Sequence, residues 1–232
     1  AQNFNRTVHY EHDERYVMAQ EFTDVCLGLW DSWEDEAFLR DRESGVFFRP
    51  EGLHSLEHKG KWFSVKGPLN VPRSPQGYPL LVQAGSSEAG KSFAAEFAEM
   101  MFTTVRSIEA GKALRDEMRE RAARFGRNPD HIKIMPGIAP VVGRTEAEAK
   151  EKFEHLQSLL SDEVALHFLQ QRLPQFSLAG MDPDGPMPEP PPPTATGTQS
   201  GHKLLVEMIR KDHPTVRELA RRMAGSLAGM PV

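Results

Sequence analysis

Residues 79–105 decide the fold: Pro79-Leu80-Leu81-Val82-Gln83-Ala84, then Gly85-Ser86-Ser87-Glu88-Ala89-Gly90-Lys91-Ser92, and a few residues on Met100-Met101-Phe102-Thr103-Thr104-Val105. The first run is short, apolar and bounded by Pro79 and Gly85, which marks a buried strand; 86–98 then reads as a helix. The third run is a second buried strand. Downstream the alternation continues. Residues 107–125 read as a helix ending at Gly126, a residue suited to the position just past a helix C-terminus. Residues 132–142 read as a third strand, and Thr145-Glu146-Ala147-Glu148 opens a third helix with Thr145 as N-cap and Glu148 at the capping-box position. Three strand–helix repeats predict an α/β fold with a parallel sheet and right-handed crossovers.

Outward from this unit the pattern loosens on both sides. Upstream, 12–33 places Tyr16, Ala19, Phe22, Val25, Cys26, Leu29 and Trp30 on one apolar helical face. From 34 to 76 the chain is punctuated by Gly45, Pro50, Gly52, Gly60, Gly67, Pro68, Pro72 and Pro75, so it reads as an excursion with one hairpin. Downstream, 162–173 is helical, and 181–201 carries Pro183, Gly185, Pro186, Pro188 and four prolines at 190–193. Such a stretch is expected to form a mobile surface loop that builds no core, in a second insertion spanning 161–203. A last helix is expected over 214–227, opening on Pro214 at a tolerated first-turn position.

Bulk properties narrow the function classes. The 232 residues suit one large domain or two small ones, and 39% hydrophobic with 26% charged is ordinary globular composition. Twenty-eight basic residues against 33 acidic ones give a net charge of −5, with the two signs interspersed, which argues against a nucleic-acid partner. A single cysteine, Cys26, cannot form an internal disulfide and reads as a buried structural thiol in a reducing, cytoplasmic setting. No apolar run is long enough for a membrane-spanning helix, and 1–6 lack the apolar core of a signal peptide, so a soluble protein is expected. With no initiator methionine, and an end at Val232 just after a helical pattern, both termini read as cut from something longer.

The stretch from Gln83 to Ser92 carries the chemistry. A strand end runs into a helix start, where free N–H groups of the first helical turn and the positive end of the helix dipole stabilise an anion such as a phosphate. Gly85 lets the backbone approach closely, and the hydroxyls of Ser86 and Ser87 add two rotatable donors. A capped turn with no ligand is the plain alternative. A sharper rival is a P-loop nucleotide hydrolase, because Gly85-x-x-x-x-Gly90-Lys91-Ser92 matches that pattern in full. Against it, neither following strand ends in the Asp or Glu that would hold Mg²⁺. Elsewhere, His54 and His58 read as solvated surface histidines rather than metal ligands, and His9, His12 and Asp13 are crowded but have no nucleophile beside them. Trp30 reads as core, whereas Trp33, Phe47, Phe48, Trp62 and Phe63 are open between core and a substrate pocket. The prolines at 186–193 leave a third reading, a polyproline ligand of an interaction module, for which a loop is a sufficient explanation.

Four motifs in order carry a family resemblance: Glu14-Arg15-Tyr16 leading to Leu29-Trp30-Asp31-Ser32-Trp33; His58-Lys59-Gly60-Lys61-Trp62-Phe63; Gly67-Pro68-Leu69-Asn70-Val71-Pro72-Arg73-Ser74-Pro75-Gln76-Gly77; and Gln83-Ala84-Gly85-Ser86-Ser87. The chain resembles the nitrilotriacetate monooxygenase component A group of the bacterial luciferase-like superfamily, closely over about residues 1–160. The resemblance implies a portion of a (β/α)₈ TIM barrel with its site at the C-terminal ends of the strands. It also implies reduced FMN delivered by a separate NAD(P)H:flavin reductase, and a C4a-peroxyflavin, formed with O₂, that oxygenates a small organic substrate. A deazaflavin-dependent enzyme of the same superfamily is the near alternative. Carried over by motif, Gly85, Ser86 and Ser87 would meet the FMN phosphate, Gln83 and Ala84 would lie along the flavin, and Arg15 and Tyr16 would approach the phosphate and ribityl region. The insertions 34–76 and 161–203 would cover the substrate entrance. Superfamily relatives are often dimers or tetramers. The family's opening strands have no counterpart before Ala1 and its last strand none after Val232, so these 232 residues alone are expected to catalyse nothing.

Overall fold

A computed structural model describes residues 9–105, 107–193 and 199–225. The expectations for 1–6 and for the end of the last helix lie outside these residues. Among the described residues, seven α-helices and five short strands follow in chain order: α1 (His12–Trp30), β1 (His58–Lys59), β2 (Ser64–Val65), β3 (Val82–Gln83), α2 (Glu88–Phe97), β4 (Met100–Thr103), α3 (Ile108–Arg124), β5 (Lys133–Pro136), α4 (Glu146–Ser158), α5 (Asp162–Arg172), α6 (Gln199–Asp212) and α7 (Val216–Gly225).

The predicted alternation is present, and β3, β4 and β5 form one parallel sheet in that order, Gln83 opposite Met101 and Met101 opposite Ile134. The strands are shorter than the apolar runs that announced them. The ladder keeps only Val82–Gln83 of 79–84 and Lys133–Pro136 of 132–142, because periodicity marks where apolar residues lie, not how far two backbones stay in hydrogen-bonding register. Helix α2 lies close over the sheet on Ala94, Ala95 and Ala98, and Met101, Met118, Ala122 and Ile132 complete this core. Gly126, at φ +72°, turns the chain after α3 as expected of a left-handed cap. The Arg127 guanidinium then donates to Ala95 O (2.7 Å) and Ala98 O (2.9 Å), giving the last carbonyls of α2 a cationic partner. At α4 the Thr145 hydroxyl caps Glu148 N, but the Glu148 carboxylate accepts from Arg144 N, one residue earlier than a capping box requires.

Two expectations upstream need correction. Phe22 is 54% exposed and only Val25 of α1 is fully buried, so the apolar face of this helix is only partly covered by the described residues. The excursion does contain a hairpin, β1 antiparallel to β2, but His58 in it is not a solvated histidine. The Glu21 carboxylate of α1 reaches the hairpin, accepting from Trp62 N and Phe63 N (3.1 and 2.8 Å) and lying 3.2 Å from His58 Nε2. His54 does lie on the surface, beside Glu34.

The proline-rich stretch departs furthest from expectation. Backbone bonds join Met187 N to Pro214 O, Val216 N to Gly185 O and Arg217 N to Pro183 O. Arg217 also grips both Asp184 oxygens (2.8 and 3.1 Å). Met187 is buried in the second core, with Leu169 of α5, Leu205 and Ile209 of α6 and Leu219 of α7. Prolines leave carbonyls free to accept, and a preset φ lowers the entropy lost when a strap is pinned, so proline content alone did not dictate a loose loop. Residues 194–198 of the stretch lie outside the described residues.

Candidate functional site

Strand β3 ends at Gln83, and the chain turns through 84–87 into α2. Ser87 is the N-cap: its hydroxyl accepts from Gly90 N (3.1 Å) and its carbonyl from Lys91 N (2.7 Å). The Gln83 side chain folds back to accept from Ala84 N (2.7 Å). Among the described residues no protein acceptor takes the N–H of Ser86, Ser87, Glu88 or Ala89. Four backbone donors therefore cluster at the positive end of α2, with the Ser86 side chain exposed beside them.

Close packing holds the turn in shape. A Cβ at Gly85 would collide with the Tyr16 hydroxyl, and one at Gly90 would lie 2.8 Å from both that hydroxyl and Gly85 O. Tyr16 is fixed from two sides, with His12 at 5.1 Å and Phe93 of α2 at 6.0 Å between ring centroids. The Gln20 amide donates to both oxygens of Glu96 at 2.9 Å, tying α1 to α2 one turn along. Tyr16 is thus brought to the turn. The guanidinium of Arg15, the residue before it, is bound to the His9 ring.

Beside the turn opens a cavity of about 930 Å³. Its walls are Ser86 to Ala89 and Lys91, the start of α1 with His12 and Asp13, the proline strap at 189–193, and the face of α6 bearing His202, Lys203 and Arg210. The strap is pinned to α6: Arg210 binds both Glu189 oxygens (2.8 and 2.6 Å), and His202 Nε2 lies 2.8 Å from Pro191 O. The aromatic residues left open by the sequence do not line this cavity. Trp33 is buried and donates from Nε1 to Leu69 O (2.9 Å), packing against Phe38 and Phe48 (4.5 and 5.2 Å). Phe63 meets Phe22, and Trp30 stacks on Tyr78. Cys26 is half-buried, and burial pushes its thiol up from the ordinary range.

Lys91 decides how the P-loop pattern is read. Its ammonium is engaged by Glu88 Oε1 (2.6 Å) and Glu117 Oε1 of α3 (2.7 Å), and only 13% of the side chain is exposed. Burial pulls Lys91 down, but the hydrogen bonds it donates to Glu117 and Glu88 outweigh it and hold the group above its ordinary value. Hydrogen bonds from Lys91 and then Arg121 hold Glu88 below the usual carboxylate range. A lysine so engaged is not presented to a phosphate as a P-loop lysine would be. Sequence spacing could have suggested the Glu88–Lys91 and Glu117–Arg121 pairs, at three and four residues, but not their joining across two helices.

A family model for luciferase-like monooxygenases matches residues 1–200. The chain belongs to the luciferase-like monooxygenase family. N-acetyl-S-(2-succino)cysteine monooxygenase of Bacillus subtilis (strain 168) is 45% identical over 226 residues, 97% of this chain and 51% of that protein. Nitrilotriacetate monooxygenase component A of Aminobacter aminovorans is 42% identical over 226 residues, 97% of this chain and 50% of that protein. Among solved structures, that of long-chain alkane monooxygenase (LadA) superposes with a TM-score of 0.76 at 35% identity, covering 99% of this chain and 47% of that one. Riboflavin lyase (RcaE), solved with modified FMN and its substrate riboflavin, superposes at 0.78 with 28% identity, over 97% of this chain and 48% of that one. The chain spans about half the length of the luciferase-like relatives it matches. No helix among the described residues is long and apolar enough to cross a membrane.

Proposed function

We propose that the full-length protein is an FMN-dependent monooxygenase of the two-component kind, in which the turn after β3 receives the flavin phosphate. One observation carries this reading. In a chain of the luciferase-like family, four unengaged N–H groups at the start of α2 open onto a cavity large enough for a cofactor and a small organic molecule. Gly85, Ser86 and Ser87 take the phosphate; Gln83 and Ala84, on the strand side, run along the flavin. The Tyr16 hydroxyl sets the width of the turn. Arg15, paired with His9, approaches the phosphate and ribityl region beside Tyr16.

When bound, the reduced flavin supplies the chemistry with O₂, and a separate NAD(P)H:flavin reductase supplies the flavin. Holding the cofactor and excluding water are the tasks of this chain. The name of one relative, a component A, supports a reductase partner. The parallel sheet is proposed to be a portion of a (β/α)₈ barrel; Val82 on β3 and Met135 on β5 are exposed at its outer strands, where further strands would cover them. A cytoplasmic setting follows from the reductase supply. The test is oxygenation by the full-length protein with NADH, FMN and a flavin reductase, using ¹⁸O₂ and a panel of small amines, thioethers and alkanes. One ¹⁸O atom in a product, dependent on both FMN and reductase, is expected. Substrate turnover without flavin, or product oxygen drawn from water, would overturn the assignment.

A further inference from the structure

Glu88 is the first residue of α2, directly after the turn, and its carboxylate lines the same cavity as Ser86 and Ser87. An acid at this position suits the helix dipole when the cavity is empty, but opposes a phosphate dianion that would use the same end of the helix. Two cations answer it. Lys91 Nζ lies 2.6 Å from Glu88 Oε1, and an Arg121 terminal nitrogen lies 2.5 Å from Glu88 Oε2. Both cations are in turn anchored by one oxygen of Glu117, at 2.7 Å from Lys91 and 2.6 Å from Arg121. Lys91 and Arg121 are largely buried between α2 and α3, whereas Glu88 is 74% exposed, so the cations are the fixed members and Glu88 the movable one.

We infer that Lys91 is a positioning residue for the anion: with Arg121, it turns the Glu88 carboxylate toward α3 and neutralises it, so that the N-terminus of α2 stays electrostatically open to a phosphate. The inference rests on the phosphate reading proposed above. Four charges summing to zero, beginning at Glu88 beside the cradle, leave the dipole and free amides as the field an incoming anion meets. Removing Lys91 releases a carboxylate into that field; removing Glu88 as well restores neutrality, because Arg121 still balances Glu117.

The phosphate's share of binding is the ratio of riboflavin to FMN dissociation constants, measured by calorimetry on the full-length protein. Riboflavin lacks the phosphate, so general loosening of the fold weakens both ligands and cancels in the ratio. Lys91→Met is expected to lower the ratio about tenfold, and Lys91→Met/Glu88→Gln to return it to within about threefold of the unsubstituted protein. Glu88→Gln alone, at an exposed site where folding is not at risk, is expected to raise the ratio about threefold. A ratio unmoved by Lys91→Met, or one that falls and is not restored in the double variant, overturns the inference, as does a fall in Glu88→Gln. Equal affinities for the two flavins in the unsubstituted protein would overturn the phosphate reading and this inference together. A clear preference for FMN that Lys91→Met leaves intact overturns the inference alone.

Discussion

The βα region at 82–136 and the helical region at 162–225 face each other across one cavity but are specified differently. In the βα region the strands lie side by side in sequence order, β3 beside β4 beside β5, and Lys91 and Arg127 tie α2 to the chain that follows β4. The caps are local as well, with Ser87 and Ser107 each accepting from an N–H three residues on. In the helical region the strap at 183–189 is fixed by residues far along the chain: Asp184 by Arg217, Glu189 by Arg210, and Gly185 O by Val216 N. Each region has its own buried core. The phosphate turn is therefore capped by its own neighbours and gauged by Tyr16 of α1, whereas the wall opposite it rests on contacts that exist only once the helices have assembled.

That division can be broken by mutation, starting with the largest effect. Leu219 is fully buried, and Leu219→Ala should destabilise the helical region by about 2–5 kcal/mol in chemical denaturation. If the two regions are independent, FMN affinity at temperatures where the variant stays folded should hardly change; a parallel loss of both would show a single cooperative unit. Gly85→Ala should do the reverse. Its Cβ meets the Tyr16 hydroxyl, so flavin binding should weaken by about 1–3 kcal/mol, with partial recovery in Gly85→Ala/Tyr16→Phe. Recovery failing in the pair would remove Tyr16 as the gauge of the turn.

Smaller effects sharpen the picture. Arg217→Ala removes the grip on Asp184 and Asp162, which is part-exposed, so about 1 kcal/mol or less is expected from the ion pairs themselves. Hydrogen exchange should speed up at Gly185 to Met187 and leave 84–90 unchanged. The smallest effect is a pH dependence at the hairpin. Burial raises Glu21, but hydrogen bonds from His58, Phe63 N and Trp62 N outweigh it and hold the carboxyl below its ordinary value. A depressed carboxylate contributes stability that is present above its unfolded value and lost as pH falls through the folded one. Hydrogen exchange at Trp62 and Phe63 should therefore rise below the ordinary carboxylate range, and Glu21→Gln should flatten that dependence.

The same division explains what the sequence revealed. The β3–α2–β4–α3–β5 order, the caps at Thr145 and Gly126 and the turn at 85–87 were legible, because each is written in residues within a few positions of one another. The pinned strap was not, since Asp184 and Arg217 carry no sign of pairing until α7 packs on α5. Nothing in the sequence marks Glu21 either, and only the fold brings the amides of Trp62 and Phe63 to it. Lys91 was misleading for the opposite reason: a complete local motif suggested a nucleotide lysine, and a neighbouring helix claimed the side chain.

The most direct test of the central claim is an experimental structure of the full-length protein with FMN bound. The phosphate oxygens are expected within about 3 Å of the N–H groups of Ser86 and Ser87, with Lys91 still on Glu117. A flavin phosphate bound elsewhere, while the turn at 84–87 faces solvent, would contradict the account.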